Sequence, residues 1–106
     1  TYSVAAVWSV YGGVSETPVD ILNDDGFQNT SSVTLSTTSK SVILASGLGA
    51  NLTGGIAWTG VTEEDETVTS NRTYGCGSDV GTFTDTTVSA VFTGANLSGI
   101  IATTFE

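Results

Sequence analysis

The residue types best suited to chemistry lie together in one glycine-rich stretch, NRTYGCGSDVG, which spans residues 71–81. It holds the only cysteine of the chain, Cys76, and the only arginine, Arg72. A thiol nucleophile needs a base or a cation that lowers its pKa, and the chain contains no histidine. A Ser-His-Asp triad is therefore excluded within one subunit, and Ser78 lacks the G-x-S-x-G pattern. We predict that Cys76 is a small buried thiol in a crossover loop and that the protein is not an enzyme.

Carboxylates are dense in two segments, DILNDDG at residues 20–26 and TEEDET at residues 62–67. Neither segment brings an aromatic-lined cleft, so a glycosidase carboxylate pair is not favoured, and both are typical of solvated loops. We predict no cofactor, with Ca²⁺ as the alternative because the oxygen density suits a hard cation. The EF-hand pattern fails, since Ile21 stands where an acidic ligand is needed. The weak candidate calcium ligands are Asp24, Asp25, Glu64 and Asp65.

Four of the five asparagines open an N-x-[ST] sequon, the acceptor motif for N-linked glycans in secretory systems. Serine and threonine make up nearly a third of the chain, so some sequons arise by chance, but four is an excess. In an archaeal or eukaryotic surface protein the motif would matter, whereas in a bacterial-virus protein it would carry no meaning. The candidate glycosylation sites are Asn29, Asn51, Asn71 and Asn96.

Length and charge limit the class of protein that presents these residues. A chain of 106 residues is one domain, residues 1–106, and its 11 acidic against 2 basic residues give a net charge of −9. This charge argues against nucleic acid and against anionic membranes as partners. A single cysteine forms no internal disulfide, and no apolar run approaches the roughly 18 residues that cross a bilayer. Because methionine is absent, we expect the domain to be part of, or processed from, a longer product.

Apolar and hydroxyl-bearing residues alternate with period two along most of the chain, which is the signature of β-strands. Turn signals recur at roughly 8–12 residue spacing, the rhythm of a sandwich. We therefore predict an all-β fold, a single antiparallel β-sandwich of the jelly-roll type with about eight strands. The strand candidates are residues 2–10, 32–38, 40–48, 55–62, 66–72, 86–94 and 98–105. The predicted core is Val4, Ala6, Trp8, Val33, Leu35, Ile43, Trp58, Val88, Ala90 and Phe92.

One segment order carries a resemblance to a known class of module. A strand leads into the turn GVSETPV (residues 13–19), a Ser/Thr-rich and then an apolar strand follow, and AVFTGANLSGIIATTFE closes the chain. This order resembles the Ser/Thr/Gly-rich jelly-roll modules of tailed-phage structural proteins and bacterial surface proteins. The resemblance implies assembly or attachment as the function, and it carries over no catalytic residues.

Three functions follow as expectations. The first is a non-enzymatic structural protein of a virus particle, as capsid decoration or cement or as a tail or fibre module. The second is a subunit of a cell-surface filament or adhesin that is completed by strand exchange, with residues 1–10 and 98–106 as the pairing segments. The third is a carbohydrate-binding module with Trp8, Trp58 or Tyr74 on a solvent face, although both tryptophans fall in strands that favour the core. The expected partners are other copies of the chain or other structural proteins, at a virion surface or outside cells.

Overall fold

A computed structural model of the protein describes residues 6–10, 15, 17–37, 40–50, 54–69 and 71–106. Within these residues, the period-two pattern forms eight β-strands. Branched and hydroxyl-bearing residues, which favour extended backbone, dominate these strands. Their bounds are β1 Asp20–Gly26, β2 Thr30–Leu35, β3 Lys40–Ala50, β4 Ile56–Thr59, β5 Thr62–Thr69, β6 Arg72–Thr82, β7 Thr86–Phe92 and β8 Leu97–Phe105. Among the described residues, no helix is long and apolar enough to cross a membrane.

The strands form two antiparallel sheets that pack face to face. The large sheet has the order β1-β8-β3-β6-β5, and the small sheet has the order β2-β7-β4. The pairs β1–β8, β2–β7 and β3–β6 nest inside one another along the chain, as in a long double ribbon rolled into a jelly roll. The fifth strand stays with β6 as a hairpin in the large sheet. The prediction of an all-β antiparallel sandwich of about eight strands is confirmed.

The core lies between the two sheets, and opposite Phe92 the large sheet contributes glycines rather than large side chains. Phe92 is fully buried, and a Cβ built at Gly47 or Gly49 would lie 2.9 or 2.7 Å from its ring. The two glycines therefore leave room for the largest core side chain. The buried apolar cluster is Val33, Leu35, Ile43, Ala45, Val61, Val88, Ala90, Phe92, Ile100 and Ala102.

Most of the predicted core is confirmed, with exceptions near the start of the chain. Six predicted residues between Val33 and Phe92 are buried, and Trp58 is half-buried against the core. Ala6 and Trp8 are also only half-buried, and they do not belong to the layer between the sheets. Val4 lies outside the described residues.

Several assignments from the sequence are wrong. Of the predicted strand 2–10, residues 6–10 form no strand, and residues 2–5 lie outside the described residues. The acidic segments 20–26 and 62–67 are not loops, because the first forms strand β1 and the second lies in strand β5. The closing segment 98–105 is not an edge, because β8 pairs with β1 on one side and β3 on the other.

Candidate functional site

The stretch NRTYGCGSDVG forms most of β6, a central strand of the large sheet, and not a crossover loop. Gly75 and Gly77 face the small sheet. A Cβ at Gly75 would lie 2.6 Å from Ile56 Cδ1, and one at Gly77 would lie 2.7 Å from the carbonyl oxygen of Thr62. The glycine spacing that resembled an active-site loop is therefore a packing requirement.

Cys76 points away from the core, on the outside of the large sheet, and is half-buried. Burial raises the pKa of its thiol, and the negative charges of Glu64 and Asp65 raise it further. Arg72 lies four residues away along the strand, roughly 13 Å, too far to reverse this effect. The thiol is therefore held in its protonated, weakly nucleophilic form at neutral pH. That the protein is not an enzyme stays a prediction.

The carboxylates of two inward-facing aspartates on β1 accept backbone hydrogen bonds along the free edge of β2. The Asp24 carboxylate accepts the Ser32 N–H at 2.9 Å, and the Asp20 carboxylate accepts the Ser36 N–H at 2.9 Å. Asp24 also accepts from Gln28 Nε2 at 3.2 Å. Strand β2 pairs with β7 on its other side, so these bonds join the two sheets along this side of the sandwich.

On the opposite side of the sandwich, another acidic side chain joins the two sheets by a hydrogen bond. The Glu66 carboxylate of β5 accepts the N–H of Ile56, the first residue of β4. Burial raises the pKa of the nearby Glu63 carboxyl, and Glu66 and Asp65 add to the rise. We call the carboxylates of Asp20, Asp24 and Glu66 the edge clasps, because each accepts a backbone N–H of a small-sheet strand or, for Asp20, of Ser36 directly after β2.

The structure separates the candidate calcium ligands. Asp24 faces inward and is held in an edge clasp, while its neighbour Asp25 faces outward and accepts from Asn23 Nδ2 at 3.3 Å. Glu64 sits at a β-bulge on the far edge strand, where it accepts from Ser78 Oγ. Among the described residues, no group of three or more His, Cys, Asp or Glu is placed to hold a metal ion.

The outside of the large sheet carries an apolar region, which polar residues such as Asp25, Ser46 and Thr103 interrupt. We define the outer face by six side chains of β1, β3 and β8 that point away from the core: Ile21, Leu44, Leu48, Leu97, Ile101 and Phe105. Ile21 and Ile101 remain 55% and 50% exposed. The sequence analysis did not predict this face, although a continuous apolar run such as Val42–Ala45 is typical of a strand that is buried on both sides. Monomers rarely leave such a contiguous apolar patch open without a function.

Residues 6–10, which we call the strap, cover one part of the outer face. Trp8 Nε1–H donates to the Glu64 carboxylate at 2.9 Å. The Trp8 side chain lines one pocket together with Leu44, Ile101 and Phe105. The fit is loose, because a cavity of about 280 Å³ remains between Trp8 and the sheet. A second cavity of about 180 Å³ separates Ala6 from Cys76.

The rest of the outer face has no cover from the strap. A groove of about 270 Å³ runs along Leu48, Leu97 and Gly99, with Asp25 and Arg72 at its rim. No residue of the strap lines it. This groove and the exposed Ile101 beside it form the best candidate site for a partner.

The aromatic candidates for sugar stacking are divided between the two sides of the large sheet. Trp58 packs against the core, whereas Tyr74 lies outside, on β6. The ring of Trp8 is over the outer face, with its N–H already bonded.

Comparisons with known protein families, with curated proteins and with solved structures give no match for this chain.

Proposed function

We propose that this domain is a non-enzymatic structural subunit of a virus particle, as capsid decoration or a tail module, and that it binds further copies of itself through the outer face. The observation that carries the proposal is the apolar outer face, of which the strap covers only part. Jelly rolls are found among viral capsid domains as well as lectins and cupins. Because a fold does not fix a function, the proposal rests on the exposed surface of the domain.

The edges of the sheets support face contact over edge contact. The free edges of β2 and β4 are engaged by the edge clasps. The free edge strand β5 carries four acidic residues and is exposed along its whole length. Charged edge strands disfavour the addition of another strand. An incoming copy therefore meets fewer obstacles on the outer face than at the edges of β2, β4 and β5.

A filament subunit completed by strand exchange is the second candidate function. Residues 6–10 have a strand-like pattern, yet they touch the domain through side chains such as Trp8 rather than in a sheet. Such a segment can be exchanged for that of a neighbour at little cost in backbone hydrogen bonds. Helical fibres in electron micrographs of the native material would favour this candidate over closed or tailed particles.

Sizing of the native material at low and high salt, with and without a chelator, tests the proposal. A net charge of −9 repels neighbouring copies, and the screening length falls from about 30 Å at 0.01 M salt to about 3 Å at 1 M. We expect multi-subunit assemblies that persist at high salt or with divalent cations and dissociate at low salt. A monomer under all these conditions that binds a soluble sugar would contradict the proposal and favour a carbohydrate-binding module.

A further inference from the structure

Four connections meet at one end of the sandwich, which we call the sequon end. In the large sheet, the end of β1 meets the start of β8, with Gly26 opposite Ser98. The end of β3 meets the starts of β6 and β8, with Ala50 opposite both Arg72 and Leu97. The connections β1–β2, β3–β4, β5–β6 and β7–β8 therefore all emerge on the same side.

Backbone hydrogen bonds join the small sheet to the same end. The Phe92 N–H donates to the Asn29 carbonyl at 2.7 Å, which places the β1–β2 connection beside the end of β7. The Thr93 N–H donates to the Gly55 carbonyl at 3.2 Å, which adds the β3–β4 connection. The sequon end is thus one continuous surface of short connections.

Every described sequon asparagine lies at this end. Asn29, Asn71 and Asn96 stand in three of the four connections, and all three are exposed. Asn51 lies outside the described residues, between Ala50 and Gly54 of the fourth connection. The only asparagine placed elsewhere is Asn23, in the middle of β1, and it is also the only one that opens no sequon.

The fold accounts for the hydroxyl residue of each motif. Ser31, Thr73 and Ser98 follow the three asparagines at the +2 position, and all are buried at the mouth of the core. Ser31 Oγ and Ser98 Oγ are hydrogen-bonded at 2.9 Å, and Thr73 Oγ1 donates to the Gly54 carbonyl at 3.4 Å. A serine or threonine at each position therefore has a structural role.

The backbone does not require asparagine at these positions. Asparagine is favoured in turns partly because it tolerates positive φ, but Asp85 is the only non-glycine residue with positive φ in the described part of the chain. Asn29, Asn71 and Asn96 have ordinary φ values and exposed side chains. Asn29 Oδ1 accepts from Thr30 Oγ1 at 3.1 Å, a hydrogen bond that an aspartate could accept as well. The shared motif at one end of the sandwich therefore points to chemistry at the amide.

We propose that Asn29, Asn71 and Asn96 carry N-linked glycans that cover the sequon end. In each case the side-chain Nδ2 attacks the anomeric carbon of a glycosyl diphosphate donor in the active site of a transferase. The new N–C bond replaces the C–O bond to the diphosphate, which leaves with its electron pair, and one amide proton passes to a base of the transferase. Because the +2 hydroxyls are buried in the folded domain, transfer precedes the pairing of these strands.

The glycans have a consequence for assembly. A bulky, hydrated sugar chain at each site keeps neighbouring copies away from the sequon end. The groove along Leu48 and Leu97 borders this end, since Ala50 and Arg72 also line it. The part of the outer face around Ile21 and Ile101 and the opposite end of the sandwich then remain for contacts. The glycosylation itself does not depend on the proposed function, so either can fail alone.

Peptide masses of the protein from its natural source test the proposal. Trypsin cuts after Lys40 and Arg72, the only two basic residues, so the three peptides contain Asn29, Asn71 and Asn96 in turn, and the middle peptide also contains Asn51. We expect all three peptides to be heavier than their sequences by whole sugar residues, with fragmentation placing the sugars on Asn29, Asn71 and Asn96. Three peptides at their sequence masses would overturn the proposal.

Two variants made in the same host test the assignment of a glycan to Asn71. Asn71→Gln should remove one glycan without changing the unfolding temperature, because the buried Thr73 hydroxyl is kept. The control variant Asn23→Gln should leave the glycan mass unchanged. An unchanged glycan mass in Asn71→Gln would show that Asn71 carries none of the sugar and would overturn its assignment.

Discussion

The outsides of the two sheets differ sharply although both derive from alternating strands. The outer face of the large sheet is built from leucine, isoleucine and phenylalanine. The outside of the small sheet is built mainly from hydroxyl groups, such as Thr34 Oγ1 and Thr87 Oγ1, which bond to each other at 2.9 Å across β2 and β7. Its outward residues are Thr30, Ser32, Thr34, Ala57, Thr59, Thr87, Ser89 and Val91.

This difference indicates that the outside of the small sheet faces solvent and that the outside of the large sheet is covered by another molecule. Hydroxyl side chains can hydrogen-bond to water, and threonine also favours the β-strand conformation. The small sheet, with its hydroxyl-rich outside, therefore suits contact with solvent. The large sheet has five strands and would need a polar outside if it faced water in use. Its apolar outside, only partly covered by the strap, is instead typical of a surface that another molecule covers.

The largest expected effect comes from placing the same charge on each outside. Ile101 in β8 and Val91 in β7 lie on central strands and are 50% and 40% exposed. Ile101→Glu should bury an unpaired charge in the subunit contact, at a cost of about 3–5 kcal/mol, and weaken assembly more than about 100-fold. Val91→Glu should leave assembly unchanged. Sedimentation velocity measures both, and equal effects of the two variants would remove the distinction between the faces.

A smaller effect is expected at the edge clasps, which close the sides between the two faces. Asp24→Ala removes the acceptor of the Ser32 N–H and should lower the free energy of unfolding by about 1–2 kcal/mol. Asp25→Ala is the matched control, since the neighbouring side chain accepts only from a surface amide, Asn23 Nδ2. Denaturant unfolding of the two variants measures the difference. If both lose the same stability, the clasps do not hold the sheets together.

The smallest effect is expected at Cys76, which shares the outside of the large sheet. Because its thiol pKa is raised, the thiolate is scarce at neutral pH, and alkylation by iodoacetamide should be slow at pH 7 and accelerate as the pH rises. Asp65→Asn removes one cause of the raised pKa and should increase the rate, whereas Asp85→Asn, in the β6–β7 connection, should not. Cys76→Ser should cost at most about 1–2 kcal/mol. Rapid, stoichiometric alkylation at pH 7 would contradict this account.

The inner layer of the fold could be predicted from the sequence, because period-two patterning is a local signal. Val33, Leu35, Val88 and Ala90 alternate with hydroxyl residues and are buried as expected. The same local rule failed for β6, where glycine stands at the inward positions and leaves no apolar pattern to detect. Gly75 is explained by the approach of Ile56 in the small sheet, and Gly77 by the approach of Val61 and Thr62 at the start of the neighbouring strand β5.

The site could not be predicted because it depends on which strands become neighbours. Asp20 and Asp24 were assigned to a solvated loop, and only the packing of β1 beside β2 turns them into acceptors for backbone N–H groups. Trp8 fits a strand pattern equally well, yet its ring rests on the outside of the large sheet. Long-range arrangement, which periodicity does not encode, decides both cases.

Electron cryo-microscopy of the native assembly tests the central claim, that the apolar outer face is the contact between copies. We predict that Ile21 and Ile101 lie in the density shared by neighbouring copies, while Thr34 and Thr87 of the small sheet face solvent. A map in which neighbouring copies touch through the small sheet, with the outer face open to water, would contradict the account.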